Sequence, residues 1–212
     1  GRVLLRSGQT AQAEQAFQQA LASDPAFAPS LEALGTLQRS NGDLDGALET
    51  FAQAAAADKT SAEPLYLAAQ TRLMQGNQQA AVELLEDALE RDLTHAAANN
   101  DLAWILASST QQLDQALELA KQAVRFQAGA ETLDTLGYVY LQRGQISQAN
   151  ETLGKALDNY PNSASLAYRL GLARAAAGDS DGARTAFQRA LNQPDFPEAE
   201  AARAQLASLQ GS

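Results

Sequence analysis

Alanine recurs along this chain at 13, 47, 81, 116, 149 and 183, at intervals of 34, 34, 35, 33 and 34 residues. A second series keeps the same spacing: Ala20, Ala54, Ala88, Ala123, Ala156 and Ala190. A third place between them holds Phe17, Phe51, Leu85, Ala120, Leu153 and Phe187. Small residues stand at 1, 35, 69, 103, 137 and 171, at a strict 34, and glycines 8, 42, 76, 144 and 178 punctuate five of the six units. A period of this length constrains the fold more than any composition does. Each unit is one supersecondary element with an apolar face it cannot bury alone, so neighbours must stack on it.

Each period holds two amphipathic stretches and a break. In "LEALGTLQRSNGDLDGALETFAQAAA", Leu31, Leu34, Gly35 and Gln38 fall on one helical face, and Ala47, Phe51 and Ala54 on another. Gly42 follows the first stretch, where a helix can end with positive φ. Asp43 or Asp45 then offers a cap for the next helix, as do Asn77 after Gly76 and Asp179 after Gly178. Pro25 and Pro161 close the second helices of their units. No run alternates as a strand does. The fold class is therefore all-α, built of helical hairpins. At the places of Gly35 with Ala47, or Gly171 with Ala183, small residues let two helix backbones approach. A larger side chain there costs about 1–3 kcal/mol.

The stretch "ETLDTLGYVYLQRGQISQANETLGKALDNYPNS" resembles a tetratricopeptide repeat through Leu136-Gly137, Tyr140, Gly144, Ala149, Leu153, Ala156 and Pro161. The resemblance extends over the whole chain. It implies a single right-handed superhelical solenoid of antiparallel helix pairs spanning 1–212. Its units would be a truncated first repeat at 1–27, repeats at 28–61, 62–95, 96–129, 130–163 and 164–197, and a capping helix at 197–210. The unit at 96–129 departs from the pattern. It reads "ILASSTQQLDQA", with one extra residue before Ala116, no turn glycine and no closing proline; one residue fewer before Ala130 restores the phase. Drift in a surface turn and a local change of superhelical pitch both account for this.

The same resemblance places the binding surface on the inner face of each first helix. There stand Tyr66, Gln70 and Met74; Asn100, Asp101 and Trp104; Asp134, Tyr138 and Gln142; and Tyr168 and Arg169. Glu32, Thr36, Arg39, Leu73, Ser108, Leu141 and Leu172 share that face. The lone Trp and three of the five Tyr fall on it. Aromatic rings with a polar edge suit peptide recognition, and Asn100 can bond an extended backbone through its amide. Competing readings make Trp104 core, Met74 and Leu73 inter-helix packing, and Asp101 and Asp134 solvated charges. Tyr140 takes the family's structural aromatic place. His95 is expected to be an exposed residue of the link between two units.

Charge narrows the partners. With 15 Lys+Arg against 25 Asp+Glu the net charge is −10, which disfavours nucleic acid. The fifth places hold Glu32, Tyr66, Asn100, Asp134 and Tyr168, with no Lys, so a clamp for the C-terminal carboxylate of a chaperone is rejected. Neutral, apolar or basic segments fit better. No Cys and a single His exclude thiolate metal sites and thiol chemistry and disfavour imidazole acid–base pairs. There is no phosphate loop and no catalytic constellation, so no cofactor, no metal and no enzyme are expected. No run approaches the roughly 20 apolar residues of a membrane span. The start "GRVLLRSGQT" lacks the core of a signal peptide, and the chain reads as a piece beginning inside a unit.

The function expected is a non-catalytic scaffold holding a protein or peptide partner in the groove. Alternatives are a self-associating homo-oligomeric array, a generic cytoplasmic adaptor, and a regulatory segment of a larger polysaccharide-synthesis enzyme. "NNDLAWILASS" followed by "DTLGYVYLQRG" also resembles repeats of bacterial envelope proteins tied to exopolysaccharide export, which points to an envelope role.

Overall fold

The structure is a computed structural model that describes residues 1, 3–4, 7–110, 112–193 and 195–209. Among these residues there are helices and turns and no strand. The helices are α1 (Thr10–Ser23), α2 (Ala28–Ser40), α3 (Leu44–Ala57), α4 (Glu63–Met74), α5 (Gln78–Arg91) and α6 (Ala96–Ser109). They continue with α7 (Leu113–Phe126), α8 (Ala130–Gln142), α9 (Ile146–Asn159), α10 (Ala164–Ala176), α11 (Ser180–Leu191) and α12 (Ala199–Ser208). The capping helix expected at 197–210 is α12; Gln210 lies outside the described residues.

Two bodies are distinguished, residues 1–98 and residues 99–212. In the first, α1 packs on α2, α2 on α3, α3 on α4 and α4 on α5. In the second, the succession runs α7 on α8, α8 on α9, α9 on α10, α10 on α11 and α11 on α12. Within each body these helices lie against their sequence neighbours, as repeat stacking requires.

The repeated positions supply these contacts. Ala47, Phe51 and Ala54 are buried in the first body, and Ala183, Phe187 and Ala190 in the second. Gly35 and Gly171 make room for the aromatic ring sixteen residues on. A Cβ built on Gly35 would lie 2.7 Å from the Phe51 ring, and one on Gly171 2.5 Å from the Phe187 ring. Of the two candidate caps, Asp43 takes the role and accepts from Gly46 N–H at 3.0 Å. Asp179 accepts from Gly182 N–H at 2.9 Å, and Asn77 from Ala80 N–H at 3.2 Å. Pro25 and Pro161 lie two residues past the ends of α1 and α9, where the residue before a proline resists helical φ/ψ.

The irregular repeat resolves at its turn. Gly42, Gly76, Gly144 and Gly178 all have positive φ, and Thr110 stands in the same 34-residue register with φ +59°. Thr110 is the only non-glycine residue so placed among those described. The glycine is missing from the sequence, yet the left-handed turn is kept. A β-branched side chain pays strain there of about 1–2 kcal/mol. Thr110→Gly relieves it against about 0.5–1 kcal/mol of backbone entropy, so a net gain of about 0.5–1 kcal/mol is expected. Urea unfolding checks this; an unmoved or lowered midpoint shows that the turn stores no strain.

Candidate functional site

In the first body, α4 presents Tyr66, Gln70 and Met74. Arg39 Nη1 on α2 donates to Gln70 Oε1 at 3.1 Å, and Gln70 Nε2 donates to the Tyr66 hydroxyl at 2.6 Å. The Tyr66 ring lies 4.9 Å from the His95 imidazole, centroid to centroid. Tyr66 and Gln70 are thus tied to their neighbours, while Met74, at the end of α4, is 61% exposed.

His95 differs from the exposed link residue that its position suggested. Its Nδ1 accepts from Ala98 N–H at 3.1 Å and so caps α6. That bond leaves the proton on Nε2, which donates to Glu63 Oε2 at 3.1 Å. A cap on the first turn of a helix buries the ring against its own backbone, which spacing alone does not show.

The second body brings four of the expected residues together. Trp104 on α6 and Tyr138 on α8 stack at 4.5 Å between centroids, tilted by 31°. The Arg169 guanidinium carbon, from α10, lies 4.6 Å from the Trp104 centroid and 4.7 Å from the Tyr138 centroid. Arg169 Nε donates to Asp134 Oδ2 at 3.4 Å, and Nη2 donates to Glu198 Oε1 at 3.1 Å. Glu198 stands at the N-cap of α12. One cation on α10 therefore serves two aromatic rings and two carboxylates drawn from α6, α8 and the N-cap of α12. Each cation–π contact contributes about 0.5–2 kcal/mol.

This cluster corrects part of the sequence reading. Arg169 is 5% exposed and Tyr168 is 7% exposed, so neither is open surface. Tyr168 packs on Phe187 at 5.9 Å and Phe196 at 6.2 Å, as part of the core that also holds the partly buried Tyr140. Sixth-place Arg169 reaches back onto α8, and the chain's own charge covers the stacked rings. Trp104 and Tyr138 keep only partial exposure, and Gln142 is exposed at the end of α8.

Beside the cluster lies a cavity of about 510 Å³. Asn100 and Asp101 on α6 line it, with Glu131, Asp134 and Thr135 on α8 and Ser165 on α10. Asn100 Nδ2 donates to Asp101 Oδ1 at 3.3 Å. Among the described residues, Asn100 Oδ1 and Glu198 Oε2 are buried without a hydrogen bond, and Asp134 Oδ1, also without one, lies 3.4 Å from Arg169 Nε as an ion pair. Burial pushes the Asp134 carboxyl up to about 6, against the pull of Arg169. Asn100, Asp101 and Asp134 were expected on this face. Glu131, Thr135 and Ser165 were not singled out, although they belong to the first helices on which the resemblance puts the binding surface. Glu198 carried no signal, because it belongs to the irregular link before α12. Among the described residues, no three His, Cys, Asp or Glu side chains form a set that could hold a metal ion. No helix among them is long and apolar enough to cross a membrane.

Comparison with known proteins bears on this architecture. A family model described as tetratricopeptide repeat matches residues 1–62 and 135–202, more than half of the chain. A second model of the same description matches 38–95. No curated protein matches the sequence. Among solved structures, YrrB, a TPR protein with an unusual peptide-binding site, superposes with a TM-score of 0.71 at 21% identity, over 90% of this chain and 99% of its own. MamA gives 0.66 at 25% identity, over 82% and 94%. The Cut9–Hcn1 hetero-tetramer of the APC/C gives 0.78 at 19% identity, over 97% of this chain and 40% of the matched one.

Proposed function

The chain belongs to the tetratricopeptide repeat family, and from that premise we propose that it is a non-catalytic scaffold holding an extended peptide segment of a partner protein on the face shared by α6, α8 and α10. One observation carries this reading: the first helices of three successive units line one polar cavity with an amide, hydroxyls and carboxylates. Those groups match the alternating N–H and C=O of an extended backbone. YrrB, which shares the fold, carries a peptide-binding site. An envelope role in polysaccharide or protein export is proposed on the local resemblance of "NNDLAWILASS" and "DTLGYVYLQRG" alone.

The test is selection from a random peptide library displayed on phage, with the whole chain as bait, followed by calorimetry of a selected peptide. Asn100→Ala combined with Ser165→Ala removes two hydrogen-bonding side chains and should weaken binding about ten-fold. Ser147→Ala, on an exposed site of α9, should leave affinity within about two-fold. No selected peptide, or equal affinity for the double variant and the wild type, refutes the reading.

A further inference from the structure

We propose that His95 is a pH-operated cap: as a neutral imidazole it closes the first turn of α6, and on taking up a proton it gives up Ala98 N–H and stays as the counter-ion of Glu63.

The two ring nitrogens have opposite roles. Nδ1 accepts from Ala98 N–H at 3.1 Å, and Nε2 faces Glu63 Oε2 at 3.1 Å. His95 directly precedes α6, so Ala98 N–H is one of the donors for which a helix supplies no partner of its own. Only the tautomer with its proton on Nε2 satisfies both contacts. An imidazolium carries a proton on each nitrogen. Its Nδ1–H would point at Ala98 N–H, donor against donor, and the cap must open. A positive charge at the first turn is also repelled by the helix dipole. The other nitrogen gains by the same step, since Nε2–H donates to a carboxylate more strongly from a cation. Protonation therefore gives up one partner and tightens the hold on the other.

The surroundings favour the proton. Glu63 on α4 acts first, through its hydrogen bond and then its charge, and Asp92 in the link adds its own. Together they raise the imidazole above its ordinary 6.5, against the opposing effect of burial. Tyr66, also on α4, offers its ring at 4.9 Å. Arg91, at the end of α5, gives its guanidinium to the carbonyls of Ala55, Asp58 and Ser61. Ala96, Ala97 and Ala98 carry no charge, and the next charged residue along α6 is Asp101. The His95 side chain is 15% exposed and that of Glu63 48%, so a proton from solvent reaches the pair. A raised value means that the stability due to this group is full below 6.5 and is lost as pH rises through the folded value. Through this residue, acid loosens one turn of α6 while the tie to α4 tightens.

The chain has a single histidine, so its imidazole nitrogen resonances report His95 alone. At alkaline pH they should show the Nε2–H tautomer. Through the titration, the exchange protection of the Ala98 amide, taken relative to Leu102 in the same helix, should fall about five-fold, with the same midpoint as the imidazole. Glu63→Gln should lower both midpoints together. His95→Asn supplies a cap that does not titrate, so Ala98 should stay equally protected from alkaline to mildly acidic pH. An Nδ1–H tautomer at alkaline pH, or Ala98 protection that stays constant while the imidazole titrates, overturns the inference. Both measurements use only the wild-type chain, so they decide even where a variant misfolds.

Discussion

Arg169→Ala is expected to destabilise the second body by about 3–5 kcal/mol, the usual cost of removing one partner from a buried ion pair. The loss is larger than the side chain's own contacts would suggest. Asp134 and Glu198 would remain, with Asp134 stripped of its ion pair, Glu198 Oε2 already without a hydrogen bond, and the Trp104 and Tyr138 rings uncovered. The deficit should depend on pH with a definite sign. Asp134 titrates at about 6 in the folded chain, above its ordinary 3.8. Between those values the folded chain holds a proton that the unfolded chain has released. Stability from this group therefore rises as pH falls from about 6 toward 3.8 and is lowest at neutral pH. Without Arg169 the carboxyl loses its main source of opposite charge, so its titration moves higher still. The variant's deficit should then shrink on acidification through that range. Replacing all three charges together, as Arg169→Met, Asp134→Leu and Glu198→Leu, should restore most of the stability, because no buried charge is left unpaired. Urea unfolding of the single and triple variants at pH 7 and pH 5 measures each of these. A single variant within 1 kcal/mol of the wild type, on the scale of exposed ion pairs, would show that the cluster is solvated and not interior.

Phe187→Ala should cost about 3–5 kcal/mol. Phe187 is fully buried where α11 meets α10, in the core with Leu166, Ala183 and Leu170. The cavity cannot collapse easily, since Gly171 opposite has no side chain to move in. That pairing predicts a coupling of unusual sign. Gly171→Ala alone drives a Cβ to 2.5 Å from the Phe187 ring and should destabilise by about 1–3 kcal/mol. In a Phe187→Ala background the same methyl enters the vacated space, and its cost should vanish or reverse. A double-mutant cycle in urea reads the coupling energy. Additive effects would mean that the glycine and the ring do not touch in solution.

The local order of the chain was legible because each hairpin repeats one packing problem. Ala47, Phe51 and Ala54 recur in register because the same backbone approach recurs, and a period of 34 reports that directly. Asn77 and Asp179 announced themselves as caps through chemistry that acts over three residues, while the choice between Asp43 and Asp45 fell to the structure. Thr110 marks the limit of such reading. The absence of glycine suggested a changed turn, yet the left-handed conformation persists, since neighbouring helices over-determine the chain there. His95 escaped for a similar reason, because its role depends on the first turn of the helix that it precedes.

The candidate site was legible only in outline. Repeat position says which residues of α6, α8 and α10 share a face, and Asn100, Asp101, Trp104, Asp134 and Tyr138 stand on it as expected. Repeat position cannot say which of them stay open. Tyr66, Asn100, Asp134 and Tyr168 hold equivalent fifth places, yet Tyr168 lies under Phe196, Tyr66 lies against His95, and Asn100 and Asp134 line a cavity. Sequence by itself determined the helices and their pairing, because those interactions act within one unit and recur in the next; it set Gly35 and Gly171 beside Ala47 and Ala183, and the structure sets them against the Phe51 and Phe187 rings. Tertiary structure alone decided where charge collects. Arg169 meets Asp134 across 35 residues and Glu198 across 29, and the free energy of a buried charge is set by whatever the fold brings within a few ångströms of it, not by its place in the repeat.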